Sequence, residues 1–173
     1  MEYTFTLKYQ LPESDNDHDA VVERLGASGC DDALVGIGIP GRIALMFARE
    51  SGSAHDAIVS ALADVRSAVP DARLVEATPD FVGLTDVAAA IGVSRQNMRK
   101  LMTSYPSFPL PVHEGAASVW HLADVLRWLA RRGNYDVDPA LIDVADVTMQ
   151  VNLARSAGRL TPAFRQEVEA LVA

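Results

Sequence analysis

The chain has 173 residues, 49% apolar and 22% charged, with a net charge of −8. Half-apolar composition supports a packed core and excludes global disorder, and the single cysteine, Cys30, excludes an internal disulfide framework and suits a reducing compartment. No apolar run reaches the ~18 residues a membrane helix needs, and "MEYTFTLKYQ" lacks a basic signal-peptide start, so the expected location is cytoplasmic.

Residues 3–10 alternate strictly, Tyr3, Phe5, Leu7 and Tyr9 on one face and Thr4, Thr6, Lys8 and Gln10 on the other. That period of two marks a half-buried strand. After the polar break "PESDNDHD", "AVVERLGASG" predicts a short helix with Val21, Val22 and Leu25 inward, stopped by Gly26 or Gly29. "DALVGIGIPGRIALMFARE" reads as a hairpin about Pro40-Gly41, with Ile43, Leu45 and Phe47 sharing a face. Residues 53–69 carry Ala57, Ile58, Ala61, Leu62 and Val65 on one helical stripe closed by Pro70, and "ARLVEAT" is a last strand. The order β-α-β-β-α-β is that of a ferredoxin-like domain over residues 1–80, a four-stranded antiparallel sheet with two helices on one face. Pro79 begins a predicted linker.

Charge is unevenly spread. Residues 1–82 hold 6 Lys/Arg and 14 Asp/Glu, residues 83–133 hold 6 and 3, and residues 134–173 hold 3 and 6. A basic island therefore sits between two acidic regions. It opens with "LTDVAAAIGVSRQNMRKLM", which has the grammar of a helix-turn-helix. Thr85 is placed to cap a first helix whose Val87, Ala88 and Ile91 face a core; Gly92 supplies the turn, Val93 plugs the corner, and Ser94 caps a second helix. At ~100° per residue, Met98, Leu101 and Met102 share one arc. Gln96, Arg99, Lys100 and Thr103 share the opposite arc, with Arg95 on its edge. Arginine can pair in bidentate fashion with guanine, and glutamine or asparagine with adenine, in the major groove; lysine and helix N-termini favour phosphate. "FPLPVHEGAASVWHLADVLRWLARRG" then reads as a strand, a loop, a return strand through Val119 and Trp120, and a helix bearing Leu122, Val125, Leu126, Trp128 and Leu129. Arg131 and Arg132 complement its C-terminal dipole and Gly133 ends it.

On those motifs, residues 83–133 resemble the winged helix-turn-helix of phage excisionase and AlpA-type regulators, related to the MerR DNA-binding domain. The resemblance implies a major-groove helix carrying Arg95, Gln96, Asn97, Arg99 and Lys100, and a wing at residues 113–118. With Ser94, Thr103 and His113 these are the candidate DNA-binding residues. The loop "HEGAAS" departs from the basic wing common in that family, holding only His113.

Beyond the turn-rich "NYDVDP", residues 139–155 predict a helix apolar on more than one side, and Thr161-Pro162 starts another with Phe164, Val168 and Leu171 in a stripe. Residues 137–173 are thus a candidate dimerisation element, as is the N-terminal sheet. His113, Glu114 and His121 lack metal-site spacing, so no metal is expected. Cys30 lacks a nearby cation to activate it and reads as a loop thiol; His55-Asp56 reads as a surface pair; "GIGIPG" precedes a strand and lacks phosphate-loop geometry. No cofactor and no enzymatic activity are expected. The expected function is a sequence-specific DNA-binding transcriptional regulator, a homodimeric repressor on an inverted repeat of double-stranded DNA. The alternatives are an antitoxin or a ligand-sensing regulator whose N-terminal domain takes a protein or small molecule; a recombination directionality factor fits less well, because two thirds of the chain lies outside the island.

Overall fold

The computed structural model describes residues 1–172. Strand β1 (Glu2–Gln10) pairs antiparallel with β3 (Arg42–Glu50) from Glu2 opposite Glu50 to Gln10 opposite Arg42. β4 (Arg73–Thr78) adds to the other side of β1 and β2 (Ala33–Gly36) to the outer side of β3, giving the order β2-β3-β1-β4. Alternation places Tyr3, Phe5, Leu7, Tyr9, Ile43, Leu45 and Phe47 on one buried face. Helices α1 (His18–Ala27) and α2 (Ala54–Ala68) cover it through Val21, Leu25, Ala57, Ile58, Ala61 and Val65. Asp17 and Ser53 start these helices by accepting from the Ala20 and Asp56 amides. Each fully buried large apolar side chain contributes roughly 1.5–3 kcal/mol, so this face is what holds the sheet to its helices. The hairpin turn falls at Gly41, whose φ of 72° suits glycine.

One expectation for this half is corrected. Val22 is exposed, because it lies one helical step off the Val21–Leu25 stripe. Of the two glycines expected to stop α1, Gly29 does so, with φ 97°, while Gly26 lies within the helix.

The expected linker at Pro79 is absent. β4 is followed after two residues by β5 (Phe81–Val82), and Asp80 between them is fully buried. β5 pairs with β6 (Trp120–His121), forty residues away. Between them lie α3 (Leu84–Ala90) and α4 (Arg95–Ser104), and β6 runs directly into α5 (Leu122–Arg132). "FPLPV" is not a strand: Pro109 and Pro111 lack the amide a ladder needs, and only a single bridge, His113 to Val119, closes the loop. The α3, α4 and α5 helices enclose a second core of Val87, Met98, Leu101, Phe108, Trp120, Leu126, Trp128 and Leu129.

Helix α6 (Pro139–Ala157) lies between the two cores, Val144 in the first and Ala145 in the second. Much of its broad apolar surface is therefore used within the chain, against the two cores, while Leu153 stays exposed. Its two buried polar residues face the sheet. Asn152 accepts from the Ala77 amide (2.9 Å) and donates to the Ala77 carbonyl (2.7 Å), which pairs both backbone groups of that residue on the outer edge of β4. Thr148 donates its one hydroxyl proton to the Pro79 carbonyl, with the Val144 carbonyl also within reach at 3.0 Å. Asp80 completes the junction: one carboxylate oxygen accepts from Asn152 (2.7 Å) and the other lies 2.6 Å from His121 Nδ1. Helix α7 (Pro162–Val172) has no buried residue, and Phe164 and Leu171 of its stripe stand exposed.

Candidate nucleic-acid interface

The turn between α3 and α4 follows from local chemistry. Gly92 sits at φ 68°, where a side chain would be strained, and Val93 packs partly buried against the second core. Ser94 Oγ accepts from the Asn97 amide at 3.1 Å and starts α4. The expected Thr85 cap is corrected: α3 begins at Leu84, and Asp86 accepts from the Gly83 amide at 2.8 Å. Thr85 is left exposed on the first turn.

Helix α4 is anchored by Met98 (0% exposed) and Leu101 (7%), with Met102 half-buried. Arg95, Gln96, Asn97, Arg99, Lys100 and Thr103 are all exposed, so the two arcs expected from the sequence are two sides of this helix. Thr103 differs in one respect: its hydroxyl lies within bonding distance of the Arg99 and Lys100 carbonyls (3.0 and 3.2 Å), so its proton is used inside the helix. His113 is exposed at the foot of the loop, its ring over Gly115.

The island's cations divide by what they touch. Arg127 pairs with Asp146 and ties α5 to α6. The Arg132 guanidinium stacks on Tyr105 (3.8 Å) and Trp128 (4.7 Å), an arrangement worth ~0.5–2 kcal/mol. Among the described residues, Arg95, Arg99, Lys100 and Arg131 form no ion pair. Three of those four are on α4.

A groove of about 330 Å³ runs beside α4. Arg95, Arg99 and Met102 form one wall; Leu84, Thr85 and the 116–118 segment form the others. His113 does not line it. Thr85 was expected only as a helix cap, and Ser118 only as part of the 113–118 wing; neither was named as a site residue. Sequence periodicity could not have found them, because the groove exists only once β5 pairs with β6.

The other candidates resolve simply. His121 is tied to buried Asp80, while His113 and Glu114 are exposed, so the three do not converge; among the described residues no three His, Cys, Asp or Glu side chains are grouped to hold a metal. Cys30 lies in the loop between α1 and β2, as expected, but it is buried, and burial pushes its thiol up to about 11, followed by the Asp64 charge. It does have a cation nearby, Arg49, contrary to expectation, but Arg49 is held by Asp32 and Asp64. His55 and Asp56 are exposed neighbours 3.2 Å apart, and the His55 contact, then Ser53, lowers the Asp56 carboxyl. No helix among the described residues is long and apolar enough to cross a membrane. No protein-family model, no curated protein and no solved structure matches this chain.

Proposed function

We propose that the protein is a sequence-specific regulator that binds double-stranded DNA, with α3, α4, the 113–118 loop and α5 acting as a winged helix-turn-helix and the first four strands as a ferredoxin-like domain. One observation carries the reading: α4 is packed on one side by Met98 and Leu101 while its other side presents three unpaired cations and two amides to solvent. Guanidinium, ammonium and carboxamide groups on an exposed helix match the major-groove edges and the flanking phosphates. The acidic surroundings reinforce it, since a negative body repels DNA everywhere except at the basic face.

The regulator acts as a homodimeric repressor on an inverted repeat. One domain of this size makes few base contacts, and two copies on a two-fold site double them. The surfaces left for the dimer are the exposed stripe of α7 and the open face of the sheet, where Leu34 and Met46 stand opposite each other and exposed. An accessory effector reading has one favouring observation, a groove of about 310 Å³ beside β2 and β3 lined by Lys8, Arg42 and Ile39.

Lys100→Ala and Arg99→Ala are each expected to weaken binding to a selected duplex by about 5- to 150-fold, the equivalent of ~1–3 kcal/mol. A fluorescence-anisotropy titration checks this, with circular dichroism to confirm folding. Unchanged affinity in both variants would remove α4 from the interface.

A further inference from the structure

The 116–118 loop carries no cation, yet it faces two arginines across a groove. Arg95 and Arg99 are one helical turn apart and lie on the flank of α4 nearest Met102, not at the centre of its exposed arc. That centre belongs to Gln96, Lys100 and Thr103. No Asp or Glu lines the groove among the described residues, and the nearby Asp86 carboxylate is turned to the Gly83 amide. Ala116, Ala117 and Ser118, whose small side chains leave the space open, line the groove with the arginines, and so does Thr85. The volume holds on the order of ten waters at ~30 Å³ each, which a bound group would displace.

A helix in the major groove meets base edges along the centre of its exposed arc and meets the two phosphate rims along its flanks. We propose that Arg95 and Arg99 seat a phosphodiester of the DNA backbone in this groove, with Thr85 and Ser118 as neutral hydrogen-bond partners. The cations usually expected of a wing are supplied instead by the helix it faces. Base reading then falls to the centre of the arc, with Gln96 suited to adenine. This inference rests on the DNA-binding reading above and assigns separate roles within that site.

The test compares full-length wild type, Arg95→Ala, Arg99→Ala, Arg99→Lys and Gln96→Ala on a duplex selected from a random pool and on a scrambled duplex, across a salt series. The expected result is that each arginine-to-alanine change weakens both duplexes by the same factor and lowers the salt slope by about 0.9. Arg99→Lys retains the slope, because a phosphate needs charge and not the guanidinium fork. Gln96→Ala relaxes the sequence preference. If instead Arg95→Ala and Arg99→Ala alter the preferred bases and leave the slope unchanged, the phosphate assignment is overturned while DNA binding stands. If wild type binds neither duplex at low salt, both fall together.

Discussion

Replacing Asp80 with alanine is expected to lower the unfolding free energy by about 3 kcal/mol. One buried donor, Asn152, and one partly buried donor, His121, lose their acceptor, and each orphaned group costs ~1–3 kcal/mol. Asp80 is 0% exposed, with one oxygen accepting from Asn152 at 2.7 Å and the other 2.6 Å from His121 Nδ1, the Nδ1–H tautomer satisfying the pair. Its backbone carbonyl also accepts from the Leu122 amide at 2.7 Å. The residue thus joins three pieces: β4 through Asn152, the β5–β6 ladder through His121, and the start of α5 through its own backbone. Asp80→Asn retains an acceptor for one partner and is expected to lose less. Urea denaturation of the full chain measures the difference. A loss below about 0.5 kcal/mol for Asp80→Ala would show that the junction does not depend on this carboxylate.

The second large effect is expected at Arg49. It follows Ile43, Leu45 and Phe47 on the core side of β3, where an apolar residue would be the default. The guanidinium is fully engaged. Nε and Nη2 reach the two Asp32 oxygens (2.7 and 2.9 Å), Nη1 reaches Asp64 (2.8 Å) and Ser60 (2.9 Å), and Nη2 also donates to the Gly29 carbonyl (2.6 Å). The hydrogen bonds to Asp32 hold its pKa above the usual arginine range although burial opposes this. Arg49→Met is expected to cost about 2–3 kcal/mol, less than the ~3–5 kcal/mol of a sealed pair, because Asp32 and Asp64 are each 29% exposed and water recovers part of the loss. Arg49→Lys is expected to recover little, since an ammonium cannot reproduce the two-pronged contact with Asp32. An unchanged denaturation midpoint for Arg49→Met would assign the sheet's stability to its apolar face alone.

These two residues also mark where sequence reading stops. The alternation in β1 and the stripe in α2 were legible because each element has one buried side, and a period of 2 or 3.6 reports it directly. The two sides of α4 were legible for the same reason, and Ser94 and Gly92 bounded the helix from chemistry local to the turn. Asp80 was read as the edge of a linker because its partners, His121 and Asn152, are 41 and 72 residues away. The β5–β6 ladder is two residues long on each side, too short to carry a period. Asn152 and Thr148 lie outside the apolar pattern that predicted this helix; they are what lets it lie against the edge of β4 and the Pro79 carbonyl. The groove beside α4 was illegible as well, since its walls come from three segments that only the second core brings together.

The central claim is that the exposed side of α4 reads base sequence in duplex DNA. Selection of bound duplexes from a random pool with the full-length protein tests it most directly. The expected result is one enriched motif with two-fold symmetry, its half-sites separated by about one helical turn or a multiple of it. Recovery of a pool as random as the input, at an ionic strength low enough for phosphate contacts to form, would contradict the account.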